Sequence, residues 1–228
     1  MIVIKSDKMR SVLRLLIPFA AIPLLAFFGV TIVGEKRHLI ISLAVTVFSL
    51  LLFITGFDRK KIGSRRMVIA AIMIALCVVG RFIPFFKPIT AITVISAVYL
   101  GSETGFLVGS LSAFISNFYF GQGPWTPFQM LAWGLIGFIG GCIGGLLRKS
   151  KPLLLIYGVL SGVAYSFIMD IWTVIGYGGE FNTDLYIAAI VTALPYTILY
   201  SVSNFIFLFF LEKPFGEKLE RIKLKYGI

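Results

Sequence analysis

The sequence predicts an all-α integral membrane protein, and three observations support this fold class. The 228 residues are 58% hydrophobic and only 14% charged, whereas soluble domains use about 25% charged residues. The mean hydropathy is +0.97. The apolar residues lie in blocks, several of which reach the roughly 20 residues that a membrane-spanning helix needs. These features exclude an ordinary water-soluble domain.

The apolar blocks predict about eight membrane segments, of which the fourth is short. A helix over residues 89–100, bounded by Pro88 and Gly101, is too short to cross a ~30 Å hydrocarbon core by itself. We expect this segment to be tilted, partly extended or sheltered by its neighbours. The eight segments are residues 12–33, 39–57, 66–86, 89–100, 103–119, 128–147, 152–174 and 185–211.

The basic residues predict that both termini are cytoplasmic. With eight segments, 17 of the 21 Lys and Arg residues fall on the side of the termini, and cytoplasmic loops of membrane proteins carry such an excess. The formal net charge of +11 then indicates contact with anionic lipid and not with nucleic acid. The apolar block of residues 12–33 is too long for the core of a signal peptide, so we expect it to be retained as a span.

The most polar internal stretch divides the chain. We predict an accessory transmembrane hairpin over residues 1–57 and a basic cytoplasmic linker over residues 58–65. A six-segment functional core over residues 66–211 follows, and residues 212–228 form a basic cytoplasmic tail. The core is richer in glycine, aromatic and amide residues than the hairpin.

Small residues recur at four-residue spacing along the predicted core helices. Residues four apart share one helix face, and a missing side chain lets another backbone approach closely. We expect most of these stripes to pack within the bundle, and one or two to bind a separate membrane partner. Ala71 and Ala75 are the strongest candidates for partner binding. The other stripes are Gly101, Gly105, Gly109 and Ala113; Gly137, Gly141 and Gly145; and Gly158 and Gly162.

The two long loops predicted to face outside are rich in aromatic, amide, glycine and proline residues. An aromatic belt at the membrane surface would explain isolated Trp and Tyr residues, but not the amides and glycines beside them. A ligand pocket with apolar walls and a few placed polar groups uses this combination. The predicted substrate contacts, drawn from these loops and the adjoining helix ends, are Asn117, Tyr119, Phe120, Trp125, Gln129, Trp133, Asp170, Trp172, Tyr177 and Asn182.

Ionisable residues inside apolar segments are costly and are therefore candidates for a role. Asp170 lies about one turn below the predicted outer end of the seventh segment, and Arg81 lies near the outer end of the third. Two interpretations stand: an Asp170–Arg81 ion pair, or contact of Asp170 with a ligand. Glu103 opens the fifth segment at the predicted inner surface, where the helix dipole accounts for it.

The sequence contains no catalytic or metal-binding constellation. The sole histidine, His38, falls in the short outer loop of the accessory hairpin, and Cys77 and Cys142 lie in apolar runs without CxxC spacing. A GxxxxGK[ST] phosphate-binding loop is also missing. We therefore expect a non-enzymatic chain without an intrinsic cofactor or metal, to which another subunit supplies any ATP-derived energy.

Residues 121–137 (GQGPWTPFQMLAWGLIG) resemble the signature loop and following helix of S components of energy-coupling factor (ECF) vitamin transporters. Within that group they resemble the branch associated with cobalamin or related corrinoids. The resemblance covers about residues 66–211, so the hairpin over residues 1–57 falls outside the usual six-helix pattern. The first core helix of S components carries an Ala-x-x-x-Ala surface, and residues 71–75 (AIMIA) match it.

The resemblance implies a membrane-embedded substrate-binding subunit of an ABC importer in the plasma membrane of a prokaryote. Such a subunit captures a vitamin from outside, here cobalamin in the first place. It then associates with a transmembrane T component, for which Ala71 and Ala75 are the matching contact residues, and with two cytoplasmic ATPases. The loaded subunit is thought to topple in the membrane and release its vitamin inward.

Other functions differ in the sequence features that they need. A different vitamin or a precursor would use the same architecture. A self-sufficient secondary transporter would need a coupling-ion site near the membrane midplane, for which no carboxylate is evident. An intramembrane enzyme lacks its constellation, and a structural scaffold would leave the polar and aromatic outer loops without a role.

Overall fold

A computed structural model describes residues 6–33, 38–56, 63–178 and 180–226 of the chain. These residues form ten α-helices and no strand, with a π-helical turn at Ile17–Ala21 between the first two helices. Pro18, which lacks a backbone N–H, lies in that turn. The helices are α1 Asp7–Leu16, α2 Ile22–Val33, α3 His38–Thr55, α4 Gly63–Gly80, α5 Ile89–Leu100, α6 Ser102–Phe120, α7 Thr126–Cys142, α8 Gly144–Lys149, α9 Lys151–Gly178 and α10 Thr183–Tyr226.

The described helices confirm an all-α membrane protein. Each predicted apolar segment corresponds to helical residues, and four helical stretches are long and apolar enough to cross a membrane. The number of eight membrane segments stays a prediction, as does the orientation of the termini. The four stretches are Asp7–Gly29, His38–Thr55, Lys151–Gly176 and Thr183–Lys225.

Helix α4 ends earlier than the predicted third segment, which reached residue 86. The helix stops at Gly80, and residues 81–88 form a loop that contains Pro84 and Pro88. A proline cannot continue the helical hydrogen bonding. The loop folds back tightly, because a Cβ on Gly80 would lie 2.4 Å from Cγ of Pro88. This places Arg81 and Lys87 near the start of α5.

The short helix α5 lies in the centre of the bundle. Its 12 residues span about 18 Å, and all of them are buried. Helices α4, α6, α7 and α10 pack around it. The sequence-based expectation of a sheltered fourth segment is therefore met by the packing. The turn that follows depends on Gly101, whose φ of 98° favours glycine.

Helices α6 and α7 approach each other closely through glycine. A Cβ on Gly105 would lie 2.6 Å from the carbonyl oxygen of Gly137, and a Cβ on Gly137 would lie 2.3 Å from that of Gly105. On α9, Gly162 makes an equally close approach to the backbone of Ser201 on α10. These stripes pack within the bundle, as expected for most of them.

The N-terminal helices are joined to the rest of the bundle by an ion pair to a buried carboxylate at the predicted inner end. Arg14 of α1 pairs with Glu103 of α6, whose side chain is only 3% exposed, and Nη2 of Arg66 lies 4.0 Å from the same carboxylate. Nε of Arg10 also donates to the carbonyl oxygen of Thr55 at 2.9 Å. The helix dipole is therefore only part of what stabilises Glu103.

Helix α10 continues without interruption through the predicted tail. Its 44 residues correspond to a length of about 66 Å. The part of the helix after residue 211 packs on the core. Glu212 Oε1 accepts a 2.6 Å hydrogen bond from the Tyr99 hydroxyl. Nζ of Lys223 donates to the Tyr99 carbonyl oxygen at 3.0 Å. The predicted division at residue 211 thus falls inside one continuous helix.

Candidate ligand site

A cavity lies between the loop of residues 81–88 and the helices α5, α7, α9 and α10, towards the end of the bundle that the charge distribution predicts to face outside. Its volume is about 110 Å³. The lining combines two cations, three aromatic rings and several hydroxyl and amide groups. The lining residues are Arg81, Lys87, Ile89, Thr90, Gln129, Trp133, Tyr165, Tyr200, Ser203 and Asn204.

Three aromatic side chains from three helices form one wall of the cavity. The rings of Trp133 and Tyr165 are stacked, with centroids 4.7 Å apart and planes at 21°. Tyr200 meets Tyr165 edge to face at 5.2 Å. Nε1 of Trp133 donates to Oγ1 of Thr90 at 3.1 Å, which fixes the orientation of the indole. The three rings are therefore held in a fixed arrangement by their mutual contacts and by the hydrogen bond of Trp133.

A buried amide network positions the polar side of the cavity. Nδ2 of Asn117 donates to Oε1 of Gln129 at 2.8 Å and to Oγ1 of Thr126 at 2.9 Å. Nε2 of Gln129 donates to the Tyr165 hydroxyl at 3.3 Å. Gln129 lines the cavity, whereas Asn117 lies behind it and is only 1% exposed.

Arg81 is held by neutral acceptors and aromatic rings. Its Nη1 donates to Oγ of Ser116 at 2.5 Å and to Oδ1 of Asn117 at 2.6 Å. Its Cζ lies 4.8 Å from the ring centroid of Phe120 and 5.5 Å from that of Trp133. Both distances fall in the cation–π range.

Lys87 adds a second positive charge beside the same phenylalanine. Its Nζ lies 5.0 Å from the ring centroid of Phe120. Burial lowers the pKa of the Lys87 ammonium group, and the nearby charge of Arg81 lowers this pKa further. Among the described residues, no carboxylate oxygen lies within 4.0 Å of the charged nitrogens of Arg81 or Lys87. The described lining of the cavity is therefore purely cationic in its charge.

The comparison with known families identifies the class of protein. A family model described as "ECF-type riboflavin transporter, S component" matches residues 61–219, well over half of the chain. The chain belongs to this S-component family. No curated protein and no solved structure matches it.

Membership in the family confirms the sequence-based prediction of an ECF S component. S components are substrate-binding transport subunits that work with a T component and ATPases and are not themselves catalytic. The match does not support the cobalamin-type branch that the signature loop suggested. Residues 1–60 lie outside the matched range, which leaves the whole of the predicted accessory hairpin (residues 1–57) outside the family match.

Two of the predicted substrate contacts of this S component line the cavity directly, namely Gln129 and Trp133. Phe120 lies beside the cavity, against both cations. Tyr119 is 72% exposed and packs on Phe82, with ring centroids 4.5 Å apart. The structure thus brings together the part of the predicted set that belongs to α7 and the end of α6.

Two predicted tryptophans lie away from the cavity lining. Trp125 covers Gly123, where an added Cβ would lie 2.3 Å from its indole ring. The Trp172 ring lies 5.8 Å from that of Phe128 and belongs to a small apolar cluster that also contains Ile175. Both side chains therefore make structural contacts at the predicted outer end.

Asp170 and Asn182 do not line the cavity either. Asp170 is 6% exposed, and within the described residues its Oδ2 has no hydrogen-bond partner and its carboxylate forms no ion pair with Arg81. Asn182 is exposed, and its Oδ1 accepts from the backbone N–H groups of Asp184 and Leu185 at 2.9 and 3.1 Å. It thereby caps the start of α10. The Tyr177 side chain lies outside the described residues.

No lining residue on α5, α9 or α10 was among the predicted contacts, and neither was Lys87 on the loop. Residues 200–204 (YSVSN) gave a usable signal, because this polar run interrupts an otherwise apolar helix. Oγ of Ser203 donates to the Lys87 carbonyl oxygen at 3.1 Å. The missed lining residues are Lys87, Ile89, Thr90, Tyr165, Tyr200, Ser203 and Asn204.

The predicted partner-binding residues lie on an open face of α4. Ala71 and Ala75 are both exposed. The apolar side chains around them are exposed as well, so the face combines small and large apolar groups without a partner among the described residues. These neighbours are Met67, Val68, Ile72, Leu76 and Val79.

Proposed function

We propose that this chain is the riboflavin-binding subunit of an ECF transporter and that the cavity beside Trp133 binds the vitamin. The family match over residues 61–219 is the observation that carries this proposal. The cavity supports it independently, since its lining offers an aromatic wall with nearby amide and hydroxyl groups. Trp133 contributes the largest of these rings.

The chemistry of riboflavin suits this lining. Its isoalloxazine ring is flat and polar along one edge, and its ribityl chain carries hydroxyl groups. Trp133 and Tyr165 offer stacking surfaces. Gln129 and Asn204 offer amides for the ring edge or the chain. A placed set of a few polar groups on apolar walls is typical of small-molecule sites.

The size of the cavity favours the smaller vitamin. Its volume of about 110 Å³ is below the roughly 300–1,000 Å³ of typical ligand sites. Binding therefore requires the walls to move apart, and the loop of residues 81–88, which carries Arg81 and Lys87, forms one of these walls. A corrinoid is several times larger than riboflavin and would require a far wider opening between α5, α7 and α10.

The transport mechanism follows from the family and from the open α4 face. The S component captures riboflavin at the predicted outer end, and the partner ATPases supply the energy. We propose that Ala71 and Ala75 contact the T component, because small residues let two membrane helices approach closely and because both residues are exposed.

Titration of the purified protein tests the ligand assignment. We expect riboflavin to bind with quenching of its fluorescence, and Trp133→Ala to weaken this binding about tenfold because the stacked face is lost. Lys149→Gln, on the exposed predicted inner surface, serves as the control and should bind like the parent. Binding of cobalamin without binding of riboflavin would instead support the corrinoid branch.

A further inference from the structure

We infer that a groove between α9 and α10, at the predicted inner end of the bundle, binds an acyl chain of an anionic phospholipid whose phosphate contacts Lys151. This inference goes beyond the proposed riboflavin function and does not depend on it. The groove shares no lining residue with the cavity beside Trp133.

The groove has apolar walls and a volume of about 370 Å³. Its α9 residues recur at three- and four-residue intervals and therefore share one helix face. From residue 152 to residue 160 they extend about 12 Å, most of the roughly 15 Å depth of hydrocarbon in one leaflet. Both helices are long and apolar enough to cross a membrane. The lining residues are Pro152, Leu155, Ile156, Val159 and Leu160 of α9 and Phe205 of α10.

A lysine lies at the inner end of this apolar groove. Lys151 directly precedes Pro152, the first lining residue, and its Nζ lies 4.1 Å from the ring centroid of Phe209. The Phe209 ring is stacked on that of Phe205, with centroids 6.2 Å apart and planes at 13°. Because Phe205 lines the groove, two stacked rings connect the ammonium group to the apolar walls.

The positive charge at this end exceeds the negative charge that the protein provides. Arg148 pairs with Glu220. Within the described part of the chain, no carboxylate oxygen lies within 4.0 Å of Nζ of Lys149 or Lys151. An ammonium group has three N–H donors, which the ring contact of Lys151 leaves available for phosphate oxygens. Basic pockets between helices at the cytoplasmic surface bind anionic lipid head groups in this way.

The residue types in the groove favour a lipid chain over a membrane helix of a partner. Helix pairs in membranes approach closely through small residues, and the groove contains none. The small residues of α9 face α10 instead. A Cβ on Gly158 would lie 2.3 Å from Cδ1 of Leu208, and a Cβ on Gly162 would lie 2.7 Å from the backbone nitrogen of Ser201. A flexible acyl chain fits between the larger apolar side chains that remain.

The purified full chain in a neutral detergent tests the inference with two lipids that have identical acyl chains. Native mass spectrometry and thermal unfolding measure the binding of phosphatidylglycerol and of phosphatidylcholine. We expect one phosphatidylglycerol per chain to be retained, with an affinity at least fivefold above that of phosphatidylcholine. Glycerol phosphate, which has the anionic group without acyl chains, should not compete. Equal retention of the two lipids, or full competition by glycerol phosphate, would overturn the inference.

Variants of Lys151 test the phosphate contact. Lys151→Gln should lower the affinity for phosphatidylglycerol about fivefold, the effect of one lysine near an anionic lipid, and leave that for phosphatidylcholine unchanged. Lys151→Arg keeps the charge and should keep the preference. Lys218→Gln is the matched control, because Lys218 is also exposed at the inner end but lies about 20 Å along α10 from Phe205. Equal losses in Lys151→Gln and Lys218→Gln would mean that the lipid senses only the overall charge, and the site would be wrong.

Filling the groove tests the acyl-chain contact. Ile156 is 55% exposed in the middle of the groove, so Ile156→Trp should fold and should displace the retained phosphatidylglycerol. Ile198→Trp, at a residue that is 60% exposed on α10 outside the groove, should retain it. Retention of the lipid by Ile156→Trp, together with loss of assembly with the T component, would assign the groove to a partner helix and overturn the inference. Riboflavin titration of the same variants reports on the proposed function separately, since none of these residues lines the cavity.

Discussion

Asn117 organises the polar side of the cavity although it does not line it. Its amide donates to Gln129 and Thr126, and its carbonyl oxygen accepts from Arg81. One buried side chain therefore orients both a neutral donor and a cation that line the cavity. Loss of one member destabilises such a network, because a buried polar group without a hydrogen-bond partner is costly.

Asn117→Ala should impair binding and stability together. Gln129 and Arg81 each lose a partner, so we expect riboflavin to bind about tenfold more weakly and the free energy of unfolding to fall by about 1–3 kcal/mol. Calorimetric titration and thermal unfolding in detergent measure the two effects. Unchanged affinity in a destabilised variant would show that the network serves the fold alone.

Asn182 provides the contrasting case, because its hydrogen bonds cap α10. Asn182→Ala should cost about 1 kcal/mol of stability and leave riboflavin affinity unchanged. Asn182→Asp keeps a capping oxygen and should restore the stability. Thermal unfolding of the three proteins, with a riboflavin titration of each, distinguishes the roles. Loss of affinity at full stability would place Asn182 in the ligand site.

At the scale of elements, the contact between α6 and α7 sets the position of Gln129 and Trp133. Gly105 faces Gly137 at a distance that leaves no room for a Cβ. Gly105→Ala should therefore destabilise the protein by about 1–3 kcal/mol through overpacking. The matched control is Gly145→Ala on α8, where no atom lies within 4 Å of the new methyl group. Thermal unfolding measures both variants, and an equal loss of stability in the two would argue against the close contact.

The ion pair between the half-exposed Arg14 and the buried Glu103 joins the N-terminal helices to α6. Removing one partner of a buried ion pair leaves an uncompensated charge and typically costs about 3–5 kcal/mol. We expect Arg14→Gln, which leaves the buried Glu103 carboxylate without its nearest cation, to destabilise the protein in this range, whereas Glu220→Gln, which breaks the half-exposed pair with Arg148, should cost at most about 1 kcal/mol. Chemical or thermal unfolding measures both. Equal effects would mean that the hairpin is held by its apolar contacts alone.

At the scale of the whole molecule, the chain needs a partner, and the open face of α4 is the proposed docking surface. Replacing Ala71 and Ala75 together with tryptophan should abolish riboflavin uptake in cells that contain the T component and ATPases, because bulky side chains prevent close helix approach. Riboflavin binding by the purified variant should remain, since neither residue lines the cavity. Uptake at the parental rate would remove the docking role, and loss of binding would assign these alanines to packing.

The sequence by itself determined the membrane class, the helical segments and the S-component family. Hydropathy acts over about 20 neighbouring residues, and the signature of residues 121–137 is also local, so both can be seen without a fold. The predicted contacts Gln129 and Trp133, which line the cavity, lie in that stretch, and the predicted contacts Asn117 and Phe120 lie just before it.

Only the tertiary structure decided which residues share the cavity. Its lining comes from four helices and the loop of residues 81–88, separated by up to about 120 positions in the chain, from Arg81 to Asn204, and no local pattern encodes that juxtaposition. The structure also shows that Asn182 and Trp172 do not line the cavity. The sequence could not show this, because an amide that caps a helix and a ring in an apolar cluster are residue types that also occur in ligand sites. Arg81 was noticed in the sequence as a charge in need of a partner. Its neutral acceptors and the second cation beside it became visible only when α4, α5 and α6 packed together.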